Sequence, residues 1–483
     1  MPRRTDRRSF LKTSGAVAAG AALVSAAAAP THVHAAGSDE IQIALIGCGG
    51  RGNGAIRDRA QVGDNFKVVA VADAFEGNAK NSANAIRGDG AKDGNPLKGK
   101  VDLSDDHVFY GLDAYKKAVA VLKPGDQVVI ATPPGFRPFH YKAAVDKGLH
   151  VFMEKPACID ASGYKLVMEA NKIADEKNLK VVVGFQRRVE PHYYNWIEQI
   201  HGGRIGDIQY TRVYWNGGGI WQRNREQGES ELHFQVRNWY HFVWLCGDNI
   251  VEQHAHNLDI GNWIHSHGDK MAHPVEANAQ GGRIIPVPEE LRRQAPAFSQ
   301  NPDDRKAWDE WYQQNKKAFV RHGQAWDSFF VEYVYADGSR MFSQCRHIPN
   351  TWNNVSEYAY GTEGEGGPGK LFGKDKKEIW KNTEKAQKGP YQWEHDELVK
   401  AIREDKPRND GWFAAQASMV AVLGREAAFS GKVVKWDELV AKGRNYFPNG
   451  EITSWDQVAP VQPDADGFYE KSVAVPGRYN PFA

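Results

Sequence analysis

Ile41-Gln42-Ile43-Ala44-Leu45-Ile46-Gly47-Cys48-Gly49-Gly50-Arg51-Gly52 is the stretch on which the fold turns: an apolar run of strand length opens directly into spaced glycines. In that pattern Gly47 permits a tight strand-to-helix turn and Gly49 lets backbone approach a pyrophosphate. Gly52 lets the following helix sit close to the sheet. The helix amides, beginning around Gly50 and Arg51, then face the phosphates. A second strand, Lys67 to Ala72, follows at the spacing of a βαβ unit. It ends on Asp73, about twenty residues beyond the last glycine, where a carboxylate grips an adenosine ribose. The plainer alternative is that Asp73 merely closes a strand. A carboxylate about 4 Å from a 2′-phosphate repels it by roughly 4 kcal/mol at a surface-like dielectric, so Asp73 favours NAD over NADP. Arg51 and Arg57 are the residues able to accommodate the extra phosphate.

The N-terminus carries a different message. Arg7-Arg8-Ser-Phe-Leu-Lys12 precedes an alanine-rich apolar stretch from Gly15 to Ala29, and Val33-His-Ala35 offers small residues for cleavage. Residues 1–36 resemble a twin-arginine export signal, which implies a periplasmic or otherwise exported protein. The apolar stretch is too short to be a stable membrane span. Without residues 1–35, 56 basic residues stand against 59 acidic ones, a balance that favours neither nucleic acid nor an anionic membrane. Proteins with such signals cross the membrane already folded, whereas nicotinamide dinucleotides are cytoplasmic. A tightly bound NAD, loaded before export, is therefore expected.

Short apolar strands continue at Gln127–Ala131, Leu149–Met153 and Lys180–Gly184, alternating with helical segments such as Ala114–Val121 and Ala161–Glu176. Alternation of that kind predicts an α/β fold with a Rossmann-type, doubly wound parallel sheet over residues 37–187. The Gly/Asp/Lys-rich run Arg87–Lys100 reads as a surface loop. From 188 to 483 the strands lengthen and turn aromatic, as in Ile208–Trp215. The pair Phe329–Ala336 and Ser339–Cys345 brackets the hairpin signal Asp337-Gly338. A C-terminal α+β domain with a largely antiparallel open sheet is predicted, with an insertion over about 281–325 and helices at Gln392–Glu404 and Phe413–Phe429. Homo-oligomerisation through that sheet is expected. Cys48, Cys158, Cys246 and Cys345 show no close paired spacing and read as free, buried thiols.

Several further motifs make the chain resemble the Gfo/Idh/MocA family of glucose-fructose oxidoreductases and inositol dehydrogenases. They are Ala131-Thr132-Pro133-Pro134, Glu154-Lys155-Pro156, Gly184-Phe-Gln186-Arg187-Arg188 and His256-Asn257-Leu-Asp259, beside the glycine turn. The exported branch is the most similar, through Trp244-Leu-Cys-Gly-Asp248 and Glu252-Gln-His-Ala-His256. The resemblance implies hydride transfer between NAD and a carbohydrate, with the lysine at Lys155 taking part in proton transfer or substrate binding.

Ligands of open α/β sheets sit beyond the carboxyl ends of the strands. Thr132, Pro133, Glu154, Lys155 and Gln186 occupy those ends and are cofactor-site candidates. A lysine held beside a cationic cofactor gives up its proton more readily, which makes Lys155 an acid/base candidate for a sugar hydroxyl. Glu154 is placed to orient it. On one continuous helix Glu252 and His256 would share a face, with Asp259 next to His256. Flanking carboxylates would raise the basicity of His256 and make it the second proton-transfer candidate. Asp259 would orient imidazole or substrate. Related dehydrogenases often carry aspartate where Glu252 stands. A metal site built from His254, His256, His265 and His267 is the rival; on a helix His254 and His256 diverge by about 200° and cannot share an ion.

Trp215 and Trp221 flank a glycine loop with amide and guanidinium donors, which suits a sugar ring or, equally, core packing. Arg187, Arg188, Tyr193, Trp239, Glu252 and Asn257 complete the substrate candidates. An exported NAD-dependent oxidoreductase acting on a sugar or glycoside carbinol is the leading reading. A glycosidase working by transient oxidation and elimination is the alternative, and a non-enzymatic binding protein a third, since fold alone does not establish turnover.

Overall fold

The computed structural model describes residues 40–266, 271–299, 301–316, 323–448 and 451–483. The expected export signal and His267 lie outside them. The glycine turn stands at the end of β1 (Ile41–Ile46), the centre of a six-stranded sheet. It is joined by β2 (Phe66–Asp73), β3 (Val108–Tyr110), β4 (Gln127–Ile130), β5 (His150–Met153) and β6 (Val181–Val183), in the order β3-β2-β1-β4-β5-β6. Every pairing is parallel. The order reverses between β1 and β4, so the crevice for a ligand opens beyond their carboxyl ends. β4, β5 and β6 are buried on both faces, which is why they read as unbroken apolar runs.

Two details differ from the sequence reading. The edge strand β3 was not foreseen, being three residues long and half-exposed. The helix before it spans Glu76–Ala91, so the predicted loop begins only afterwards. Gly90 allows this helix to lie against the returning chain: a Cβ there would sit 2.5 Å from Val101 Cγ2.

The second sheet has nine strands: β7 (Ile208–Gly217), β8 (Glu276–Gly282), β9 (Ser328–Val334), β10 (Arg340–His347), β11 (Asn354–Gly361), β12 (Gly364–Gly367), β13 (Lys370–Gly373), β14 (Glu378–Lys381) and β15 (Val434–Lys435). Their order is β14-β13-β12-β11-β7-β10-β9-β8-β15. The sheet is antiparallel except where β7 and β10 run side by side in parallel. Parallel neighbours need a long crossover, and the helices between β7 and β8 with the β8–β9 pair supply it. The β9–β10 hairpin turns at Asp337-Gly338, with Gly338 at φ +85°.

Helices from the C-terminal part return to the first sheet. Pro390–Arg403 packs on helix Gly50–Ala60 and on β5 and β6. Helix Gly411–Ser430 is buried along almost its whole length. Its Ala414, Ala415 and Ala417 belong to the core of the first sheet, and Met419 to Phe429 to the core of the second. The insertion folds into helices Glu289–Gln294 and Pro302–Asn315, with a small core of its own in which Trp308 and Tyr312 meet Phe468. All four cysteines are free and buried, as expected. No described helix is long and apolar enough to cross a membrane.

Candidate functional site

The glycine turn has the geometry its sequence implies. A Cβ on Gly47, at φ +97°, would strike the Ala131 carbonyl and the Thr132 nitrogen at 2.7–2.8 Å, and one on Gly52 would meet Gly47 O at 1.9 Å. Gly49 and Gly50 face open space instead. Helix Gly50–Ala60 starts there with no acid in its first turn and no side-chain cap, so its amides are left to an anion. Asp73 accepts hydrogen bonds from Cys48 N (2.7 Å), Phe75 N (2.9 Å) and Asn78 Nδ2 (3.1 Å). Burial raises its pKa against the pull of those bonds. A cavity of about 810 Å³ opens over this turn, bordered by Gly47, Gly49, Asp73, Thr132, Pro133 and Trp239 among others.

The ends of β4 and β5 are tied together by Arg137, buried, which donates to the Thr132 and Pro156 carbonyls. Burial lowers its pKa to about 10. Thr132 Oγ1 lies 3.0 Å from His140 Nδ1, and burial with the nearby Arg137 charge holds His140 at about 3. Sequence reasoning passed over both residues, which sit in an ordinary amphipathic helix.

Beyond β5 the expected partnerships are exchanged. Glu154 does not orient Lys155; it binds Arg51 (Oε1 to Nε, 2.5 Å), which also pairs with Asp58 at 3.1 Å. Lys155 reaches across to the second half of the chain, donating to the Glu252 carbonyl and, at 3.2 Å, to Glu252 Oε1. Neither Lys155 nor Glu252 is much exposed, at 9% and 12% of side-chain area. Gln186 occupies a 3-10 turn after β6, and its Oε1 is buried without a partner.

The continuous helix expected from Glu252 to Asp259 is broken. One turn ends at Glu252, and a new helix, Ala255–Ile264, begins past His254. The reason is long-range: Glu252 is drawn to Lys155, while His254 Nε2 bonds Ser343 Oγ on β10 at 2.8 Å. His256 therefore lacks the predicted carboxylates. Its Nδ1 is buried without a partner, and its ring lies between Phe185 (5.8 Å, edge-on) and Trp215 (6.2 Å, stacked). Burial, then the charges of Lys155 and Arg187, hold its imidazole well below the usual histidine range, so it is neutral.

Asp259 faces Arg188 instead, in a bidentate pair with contacts of 2.8, 2.9 and 3.1 Å. Arg188 is thus committed to the seam between β6 and helix Ala255–Ile264. Arg187 takes a separate partner, Glu357 on β11. Tyr193 OH (3.0 Å) and Asn257 Nδ2 (2.5 Å) also donate to Glu357. The Glu357 side chain is fully buried, and burial raises its pKa against these partners. Arg187 also lies 5.8 Å from the ring centre of Trp215. Arg187, Tyr193, Trp215, His256 and Asn257 are thereby brought together. Trp221 and Trp239 form a separate edge-on pair 6.0 Å apart, and Trp239 borders the cavity. Glu357 escaped the sequence reading; its signal was an acid at the inward phase of an alternating strand.

Among the described residues the histidine cluster does not form. His265 is held between Thr211 Oγ1 (3.1 Å) and Ser339 Oγ (2.9 Å). Among the described residues no group of three or more His, Cys, Asp or Glu could hold a metal ion.

Residues 41–185 match the model described as an oxidoreductase family with an NAD-binding Rossmann fold, and residues 4–24 match that of the twin-arginine translocation signal, which indicates export by that pathway. An inositol 2-dehydrogenase of Rhizobium meliloti is 27% identical over 179 residues, 36% of this chain and 44% of the relative. The chain thus spans less than half the length of that curated relative. Among solved structures, an aldose-aldose oxidoreductase from Caulobacter crescentus, complexed with glycerol, superposes with a TM-score of 0.56 at 14% identity. The match covers 82% of this chain and all of that one. A scyllo-inositol dehydrogenase from Lactobacillus casei with NAD(H) and scyllo-inositol gives 0.54 at 16%, over 83% and 100%. At these identities the likeness establishes the fold, including its second sheet.

Proposed function

The chain belongs to the Gfo/Idh/MocA oxidoreductase family, and on that footing we propose that it is an exported, periplasmic, NAD-dependent oxidoreductase exchanging a hydride with a ring carbinol of a sugar or polyol. One observation carries the substrate class. Gln186 Oε1, Glu252 Oε2 and His256 Nδ1 are all buried and unpartnered, on segments that meet around Lys155 and Arg187. Each such atom costs about 1–3 kcal/mol if left unpaired. A ligand dense in hydroxyl groups satisfies them, and Trp215 offers its ring to a C–H face. The names of the relatives, inositol and aldose enzymes, point the same way.

The cofactor reading rests on the turn that only glycine can make at Gly47 and Gly52, and on the uncapped helix behind it. NAD is favoured over NADP by Asp73, and because Arg51 and Arg57 are engaged by carboxylates of their own. When bound, the nicotinamide supplies the hydride acceptor. A carbinol also has to lose its hydroxyl proton, and His256, with its unpartnered Nδ1, is one of two groups placed to take part in that transfer. Lys155, held by Glu252, is the other. Glu357 keeps Arg187, Tyr193 and Asn257 in one arrangement around the sugar. Export after folding calls for a retained, tightly bound dinucleotide.

Self-association through the second sheet is part of this reading. Tyr210, Tyr214, Phe330, Phe342, Tyr358 and Tyr360 share the face turned away from its helices. Sedimentation of a monomer at micromolar concentration would exclude it. The function is tested by incubating the purified protein with mono- and disaccharides, inositols and aryl glycosides, following NADH absorbance and products by mass spectrometry. Loss of two hydrogens from an intact substrate supports the proposal. Release of an aglycone with no net redox change overturns it in favour of redox-assisted glycoside cleavage.

A further inference from the structure

The cavity over the glycine turn is not walled by the loops of the first sheet alone. Helix Glu231–Arg237 contributes His233, and the C-terminal segment contributes Trp455. These two rings and Phe75, two residues past Asp73, form a closed triangle. Centroid separations are 4.9 Å for Phe75–His233, 5.4 Å for Phe75–Trp455 and 4.9 Å for His233–Trp455. All three border the cavity beside Asp73 and Asn78. His233 is fixed by Glu229, 2.6 Å from its Nδ1.

Trp455 belongs to a stretch, Glu451 to Ala483, whose regular structure is one 3-10 turn, Glu470–Ser472. It is nevertheless fastened along its path. Tyr115, itself on the cavity wall, donates to Glu451 Oε2 at 3.0 Å. Ile452, Ala459 and Tyr469 enter the hydrophobic cluster of Phe136 and Trp244. Arg225 donates to Tyr469 OH at 2.8 Å, and Trp308 Nε1 to the Asp466 carbonyl at 2.9 Å. The strand end that carries the ribose-binding candidate thus opens onto an aromatic surface completed by distant parts of the chain and held by a long strap with little regular structure.

Resting on the dinucleotide reading above, we infer that Phe75, His233 and Trp455 form the subsite for the adenine ring, and that the segment from Glu451 onward is a strap that must peel away before the cofactor leaves. The chemistry recognised is a flat heteroaromatic base beside a ribose: aromatic side chains stack on nucleobases, and the neighbouring carboxylate takes the ribose hydroxyls. Retention then comes from the molecule's own C-terminal chain rather than from the first domain alone.

The test uses the full-length protein as purified. Bound NAD is quantified after denaturation, and its release is timed by exchange against excess labelled NAD. From the usual strength of base stacking, Trp455→Ala and His233→Ala should each speed release or weaken affinity by about 5- to 150-fold. Trp455→Phe should stay within about 3-fold, and Trp352→Ala, on an exposed side chain that does not border the cavity, should change nothing. Photolabelling of the unmutated protein with 8-azidoadenine-NAD needs no substitution and should mark peptides containing Phe75, His233 or Trp455. Release at the wild-type rate in both alanine variants, or labelling confined to other peptides, overturns the inference. A wild-type protein that binds neither NAD nor NADP instead overturns the reading beneath it.

Discussion

Replacing Asp259 by asparagine separates a clamp from a catalyst. The Asp259 carboxylate is 1% exposed and takes three hydrogen bonds from Arg188. Arg188 in turn lies 3.9 Å from the ring centre of Phe413 and 4.8 Å from that of Trp263. Breaking a buried pair by removing one charge costs about 3–5 kcal/mol, because the other charge stays behind uncompensated. Arg188 keeps both aromatic contacts, and asparagine keeps one carbonyl acceptor, so the low end applies, about 3 kcal/mol. For a folded unit of roughly 450 residues the unfolding entropy is about 0.9 kcal/mol/K, which sets the fall in Tm at about 3 °C. Turnover on an identified substrate should drop by less than about 10-fold. The double variant Arg188→Met/Asp259→Leu, which removes both charges, should recover to within about 1 kcal/mol of wild type. Scanning fluorimetry and steady-state kinetics on the three variants decide the matter. Wild-type Tm combined with a loss of turnover of 100-fold or more would refute the clamp and return Asp259 to the reacting atoms.

Lys155→Ala and His256→Ala should each lower kcat by roughly 10²- to 10⁴-fold, the usual range for a lost general acid or base, with bound NAD retained on denaturation; near-normal turnover in both would remove the proposed proton path. Asp73→Ala should weaken NAD and relax discrimination against NADP, measured as the ratio of their dissociation constants, and an unchanged ratio would move ribose recognition elsewhere. Burial, and secondarily the charge of Arg187, holds His254 at about 3, against roughly 6.5 when unfolded. The unfolded chain therefore binds the extra proton, and stability present above pH 6.5 is lost as pH falls towards 3. His254→Asn should then lose about 2 kcal/mol less than wild type between pH 7 and pH 5 in urea unfolding. Parallel losses would show that this imidazole is not held neutral.

The first sheet was legible because its strands are covered on both faces and appear as short apolar runs between helices. Helices Ala114–Val121 and Ala161–Glu176 have the bounds expected of them. β3 was missed because an edge strand of three half-exposed residues carries no such run. Around the site, residue types were readable and partners were not. Lys155 and Glu252 stand 97 residues apart, and Arg187 and Glu357 stand 170 apart. No periodicity records a contact of that range. Treating Glu252 to Asp259 as one helix was sound local reasoning; the contacts of Glu252 with Lys155 and of His254 with Ser343 overrode it. Glu357 illustrates the converse, a strand acid whose inward phase makes sense only once Arg187, Tyr193 and Asn257 are seen around it.

Helix Gly411–Ser430 has a consequence for how the chain is made. Its first turns fill the interior of the parallel sheet, and its last turns fill that of the other. Domains ordinarily fold as units, the N-terminal one first, while the ribosome is still at work. Here the nascent sheet lacks Ala414, Ala415 and Ala417 until strands β7 to β14 have been made, so its interior is completed only after most of the other sheet has emerged. The isolated N-terminal half should accordingly be a poor fragment, with a hole where those alanines belong. The order of assembly follows from this: both interiors close on the one shared helix, and the glycine turn is backed by a finished core only once that helix is in place.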